Sequence, residues 1–229
     1  MRIGILCAGD DELAPFLPLI DDCKLTEKAK LKFYEGTIGG VDVVALFSGV
    51  CKVNAAIATQ ILIETFRVGA VINSGTAGGM DPGLQILDTV ISTEVAYHDV
   101  AEDILTEFHP WMESCFFCAD KRLVDLSKVA AKMFHNVHWG RMVTGEAFID
   151  DEGRKAINDQ YAPLSVDMET AAIAHVCYVY EIPFISIRSI TDTATHSGTD
   201  NFEKNCQTAS AIAKDITIAL INEWQKCGG

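Results

Sequence analysis

RIGILCAGDDEL, residues 2–13, passes in one step from an unbroken apolar run to a row of acids. A run that is apolar on both alternating faces reads as a strand buried on both sides. Asp10, Asp11 and Glu12 then fall where a helix begins, which suits the positive end of its dipole. Pro15 and Pro18 leave that helix of uncertain length. The same strand-to-helix step recurs along the chain. GAVINSG (69–75) reads as a second buried strand that runs into a glycine-rich turn, TAGGM, and IPFISIRSITD (182–192) as another. LDTVISTEVAYHDV (87–100) and VHWGRMVTGEAF (137–148) read as strands, SVDM as a strand end, and KFYEGTIGGVDVVALFSG (32–49) as a hairpin about Gly39-Gly40.

Helices are expected at 52–67, 120–134, 151–159, 169–180 and 201–224. The first carries Val53, Ile57 and Ile61 at four-residue spacing as its apolar side, and the last a stripe of Ala209, Ile212, Ala213, Ile216 and Leu220. Residues 101–119 show no clean period and read as a long loop. Alternation of this kind over all 229 residues implies one domain, 1–229. Its architecture is three-layer α/β/α around a mostly parallel but mixed sheet.

Composition narrows the function. Hydrophobic residues make up 49%, enough for an ordinary core, and no apolar run approaches the roughly 20 residues of a membrane span. Residues 1–20 lack a basic start followed by a cleavable apolar segment, so a soluble, cytoplasmic protein with no membrane partner is expected. A formal charge of −14 argues against nucleic acid, whose phosphates want clustered Lys and Arg. Of eight cysteines only Cys115 and Cys118 form a C-x-x-C, and His109 does not complete a zinc spacing. Neither metal nor cofactor is expected: the glycines of GTAGG lack dinucleotide spacing, and CAGDDE is no phosphate turn.

In open α/β sheets ligands bind outside the carboxyl ends of the strands. Those ends here carry Glu12, Thr76 with Gly78, Phe148 with Ile149, Asp167-Met168-Glu169, and Thr191 with Asp192. Each has a plain structural reading. Glu12 and Glu169 suit helix starts, Asp192 suits a cap for the turn through THSG, Phe148 suits a core, and the glycines suit tight turns. Gathered at one edge, acids with few cations suit hydroxyl groups and proton transfer.

The stretches RIGILCAGDDEL, SGVCKVNAAIAT, VINSGTAGGMDPGLQILDTV, TGEAFI, VDMETAAIAHVC and PFISIRSITD resemble, in this order, the nucleosidase branch of the purine nucleoside phosphorylase superfamily. Within it they are most similar to the 5′-methylthioadenosine/S-adenosylhomocysteine nucleosidases. The likeness covers nearly the whole chain and weakens between about 100 and 120. It implies a nucleoside phosphorylase-like fold and hydrolysis of an adenine nucleoside. Glu12 would activate the attacking water and Asp192 would protonate N7 of the leaving adenine. Glu169 would grip the ribose hydroxyls with Met168 against the sugar. Phe148 would stack on the base and the Ile149 backbone would read its edge. Thr76, Thr191 and Arg188 would support the site, with Val50 and Gly78 in the substrate-binding set. The resemblance also implies a homodimer in which a neighbour's loop completes the pocket.

The phosphorylase branch carries arginines near its first strand end and before its glycine-rich turn. AGDDEL and VINSGTAGG carry none, which favours water over phosphate. Gly9 replaces the usual Met, Cys51 the usual Gly, and Thr76 and Thr191 the usual Ser. The 5′ substituent therefore stays open among methylthio, homocysteinyl, 5′-deoxy and aminodeoxyfutalosine forms. A phosphate-dependent phosphorylase and a non-catalytic nucleoside-binding protein are the alternatives.

Overall fold

β1 (Ile3–Cys7) lies between β4 (Val41–Phe47) and β5 (Ala70–Gly79), parallel to both. The computed structural model describes residues 1–108, 111–149, 151–196 and 198–228, and the side chains of all these but 151 and 152. His109 and Ser197, which enter the sequence reading, lie outside the described residues.

Between β1 and β5 the chain forms α1 (Asp10–Leu13), a short 3-10 turn (Leu17–Leu19), β2 (Asp21–Lys28), β3 (Leu31–Ile38), β4 and α2 (Lys52–Glu64). β2, β3 and β4 form an antiparallel edge, and the turn from β3 to β4 holds Gly39 and Gly40 at φ +56° and +81°. After β5 come β6 (Thr89–Tyr97), α3 (Glu102–Glu107), β7 (Phe117–Cys118) and α4 (Lys121–Ala130). β8 (Val137–Thr144), α5 (Asp151–Tyr161), β9 (Ser165–Asp167), α6 (Thr170–Val179), β10 (Phe184–Asp192) and α7 (Thr199–Lys226) complete it. β10 pairs with β5 in parallel and with β6 antiparallel. β6 pairs with β8, β8 with β9, and β9 returns to β5. The mixed sheet thus closes on itself through β5, β10, β6, β8 and β9.

Alternation along the buried strands divides the core, because successive side chains point to opposite faces. Leu6, Val44, Leu46 and Val71 face α2 and α6. Ile3, Ile5, Val43 and Ile72 face α4 and α7. A smaller cluster of Met80, Val143, Ile157 and Tyr161 seats α5. Ala209, Ala213, Ile216 and Leu220 of α7 are buried, with Ile212 half-buried.

Three expectations change, and one strand had no expectation. Val53 and Ile57 face outward, 69% and 45% exposed, while α2 buries Ala55, Ala58 and Leu62 against α6. The small Ala55 and Ala58 let the two helices approach closely, so Val53 and Ile57 do not mark the packed face. Residues 101–119 hold α3 and the two-residue β7 rather than a loop throughout. Asp21–Lys28 is a strand although almost every residue is exposed, because an edge strand needs only one paired side. TAGG is not a turn: β5 runs extended through Gly79, and its glycines answer close approach, as shown below. Among the described residues no helix is long and apolar enough to cross a membrane.

Candidate active site

The carboxyl ends of β1, β5 and β10 open onto one cavity of about 470 Å3. Glu12 enters it from α1, and its carboxylate is held on all sides. Oε2 accepts from the backbone N–H of Ala8 at 2.7 Å and of Gly9 at 3.3 Å. Oε1 accepts from Thr76 N at 2.7 Å and Thr76 Oγ1 at 2.9 Å. The carboxylate lies flat against β5 because residue 75 is glycine: a Cβ there would sit 2.4 Å from the Glu12 carboxyl carbon. The helix-start reading of Glu12 is therefore only part of its placement, since the side chain folds back across β5 rather than into solvent.

Arg188 stands in the middle of β10, buried to 1% exposure. Its Nη1 lies 3.5 Å from Glu12 Oε1, its Nη2 3.2 Å from Glu169 Oε2, and its Nε 3.5 Å from Asp167 Oδ2. Nη1 also donates to the Thr76 carbonyl at 3.0 Å, and Nε to Asn73 Oδ1 at 3.1 Å. A buried cation without partners would cost several kcal/mol; three carboxylates compensate it. Burial disfavours the charged guanidinium, but those acids outweigh it and hold the proton more firmly than in an ordinary arginine.

Glu169 and Asp167 divide the labour at the head of α6. Asp167 Oδ1 accepts from Glu169 N at 3.0 Å, Thr170 N at 2.9 Å and Thr144 Oγ1 at 2.7 Å, which caps the helix. Glu169, at the cap position itself, turns its carboxylate to Arg188 and accepts from Cys51 N at 3.0 Å. Burial pushes the Glu169 carboxyl up to about 7; Arg188 opposes the rise and Asp167 adds to it.

Asp192 closes β10, buried and paired in register with Gly78. Its Oδ1 accepts from Thr191 Oγ1 at 2.9 Å, and a Cβ at residue 78 would lie 3.1 Å from its Oδ2. Burial raises its carboxyl above the usual value, against the Thr191 hydroxyl and the charge of Arg154. A buried acid with a raised proton affinity is suited to give up a proton inside a cavity. The turn that Asp192 was to cap includes Ser197, outside the described residues.

Phe148 and Ile149 follow β8 and border the same cavity, Phe148 at 44% exposure rather than in the core. Met168 and Val50 border it too. All eleven residues singled out in the sequence thus meet at one opening. Asp167, already placed at this edge by the sequence, also shares the arginine with Glu12 and Glu169. Sequence reading misses two contributors. Asn73, apolar in context within AVINSG, holds Arg188. The first turns of α7 bring Phe202, Glu203 and Cys206 to the wall, and nothing in their spacing distinguishes them from other amphipathic positions. Among the described residues no cluster of His, Cys, Asp and Glu is placed to hold a metal ion, and all eight cysteines, Cys115 and Cys118 included, are free thiols.

Comparison with known proteins identifies the family. Residues 2–222 match the model of the Phosphorylase superfamily. A 5′-methylthioadenosine/S-adenosylhomocysteine nucleosidase of Anoxybacillus flavithermus is 36% identical over 99% of this chain and 100% of its own. One from Oceanobacillus iheyensis is 38% identical over 97% of this chain and 100% of its own. Among solved structures, the nucleosidase of S. pneumoniae with a transition-state inhibitor superposes with a TM-score of 0.89 at 29% identity, covering 98% of this chain and 100% of that one. The futalosine hydrolase of Helicobacter pylori also reaches 0.89, at 25% identity, with 97% and 98% covered. The chain belongs to the phosphorylase superfamily and, within it, to the 5′-methylthioadenosine/S-adenosylhomocysteine nucleosidases.

Proposed function

We propose that this protein hydrolyses the N-glycosidic bond of 5′-modified adenosines, 5′-methylthioadenosine and S-adenosylhomocysteine first among them, and releases adenine. The observation that carries water as nucleophile is electrostatic. Among the described residues lining the cavity the one cation is Arg188, and it is already engaged by Glu12, Asp167 and Glu169. A phosphate dianion would find acids and no free guanidinium.

Each role rests on placement. Glu12, ringed by donors, takes a proton from the attacking water. Asp192 gives a proton to N7 of the departing base, so that adenine leaves neutral. Glu169 accepts from the ribose hydroxyls, and its carboxylate with that of Glu12 stabilises the positive charge that develops on the sugar. Phe148 covers the base, and backbone groups at Ile149 read its edge.

The protein acts as a homodimer in this reading. Val53 and Ile57 lie exposed on α2, and Trp111 is 63% exposed; apolar groups of this kind favour cover by a second copy. Free thiols throughout fit a reducing compartment, the cytoplasm. The test is adenine release from methylthioadenosine in phosphate-free buffer, at a rate unchanged by added phosphate. A strict requirement for phosphate would move the protein to the phosphorylase branch, and tight binding without turnover to a binding role.

A further inference from the structure

Two arginines are buried among the described residues, and they differ in company. Arg188 has three acids. Arg154, on α5 and 5% exposed, has none within ion-pair distance among the described residues. Its Nη1 donates to the carbonyl of Gly79 and lies 3.3 Å from Met80 Sδ, while Nε and Nη2 are buried without a hydrogen-bond partner. An uncompensated buried guanidinium is costly, and the fold tolerates it beside the end of β5. That end is where Asp192 lies: Gly78 faces Asp192 in register, and a Cβ at Gly79 would sit 3.4 Å from the Asp192 carbonyl.

We propose that Arg154 is a positioning residue for the Asp192 proton donor: from behind the Gly78–Gly79 backbone, its guanidinium stabilises the carboxylate that Asp192 becomes when its proton passes to the leaving base. This rests on the assignment of Asp192 as the general acid. The proton is the only group transferred: the O–H bond of Asp192 breaks, an N–H bond forms on the base, and the carboxylate keeps the electron pair. Other charges surround β10. α1 brings Glu12, the head of α6 brings Asp167 and Glu169, and β10 itself brings Arg188. The start of β6 brings Asp88 with its partner His138, and α7 brings Glu203 and Cys206. His196 lies on the turn beyond the strand, and α4 meets β10 at the far end, near Phe184. Arg154 is the charge that bears on the Asp192 carboxyl, and it favours the ionised form.

The experiment compares kcat against pH for the full-length wild type, Arg154→Gln, Arg154→Lys and Asp192→Asn. Gln keeps a donor for the Gly79 carbonyl without charge; Lys keeps the charge without the planar fork. Activity needs Asp192 protonated, so the alkaline limb marks the loss of its proton. In Arg154→Gln that limb moves to higher pH by about half a unit and the plateau falls about tenfold; in Arg154→Lys both return most of the way to wild type. A folded Arg154→Gln whose limb stays in place, or Gln and Lys variants that behave alike, would overturn the proposal. Failure of both to fold would make Arg154 a structural prop and overturn it as well. Near-normal turnover in Asp192→Asn would instead sink the general-acid assignment beneath it, whatever the Arg154 variants do.

Discussion

The backbone N–H of Cys51 donates to Oε1 of Glu169 across 3.0 Å, joining two residues 118 positions apart in the chain. Cys51 achieves this with φ +85° and ψ 160°, a region that only glycine occupies without strain. The bond and the strain coincide at one residue. Cys51→Gly should therefore keep the donor and relieve the backbone, raising stability by about 1 kcal/mol, or Tm by ~2–4 °C. Thermal unfolding of the variant, with KM for methylthioadenosine unchanged, is the check. A lower Tm would show that the cysteine side chain is worth more than the strain.

Gly75→Ala would place a methyl group 2.4 Å from the Glu12 carboxyl carbon. The carboxylate must then leave Thr76, and kcat should fall by at least about a hundredfold, the lower end for a displaced general base. The fold should persist, because the clash meets a side chain and not the sheet. Full activity in a folded variant would place the attacking water elsewhere.

Asp192→Asn removes the proton and keeps the shape and the Thr191 contact. Turnover should fall at least about a hundredfold while affinity for a substrate analogue stays within a few fold. Calorimetric titration alongside kinetics separates the two, and parallel losses of binding and rate would argue for a structural role.

Glu169 titrates in a telling direction. Its folded-state affinity for protons is raised to about 7 from an ordinary 4.5, chiefly by burial. Its contribution to stability is thus fully present below about pH 4.5 and is lost as pH rises through about 7. Across pH 5 to 8 the wild type should lose more Tm than Glu169→Gln, by about 4 °C or more. Parallel curves for the two proteins would show that the three acids and Arg188 share the proton differently.

The exposed pair Val53 and Ile57 tests the oligomer. A Val53→Glu, Ile57→Glu double variant should elute as a monomer on size exclusion at micromolar concentration, because charge in an apolar interface goes unpaired. A dimer that survives both changes would place its interface on another face.

Much of the architecture was legible because buried strands declare themselves: RIGILC, AVINSG and FISIRSI are too apolar to be anything but interior. The position of the acids at the strand ends was legible too, although each one alone also suited a helix start or a turn cap. What escaped depends on partners that sequence does not order. The first turns of α2 face outward with Val53 and Ile57 and inward with the small Ala55 and Ala58, so periodicity alone chooses the wrong side. Gly75 and Gly78 read as turn formers because the side chains that crowd them, Glu12 and Asp192, are 63 and 114 residues away. Arg154 looks like any helix-surface arginine until α5 is seated against Met80.

Closure of the sheet through β10 also orders events in time. Asp192 meets Gly78 only when the last strand slots between β5 and β6. During synthesis, a growing chain that already carries Glu12, Thr76 and Glu169 therefore holds an unfinished pocket. Catalytic competence should arrive abruptly, once the segment beyond residue 192 has left the ribosome.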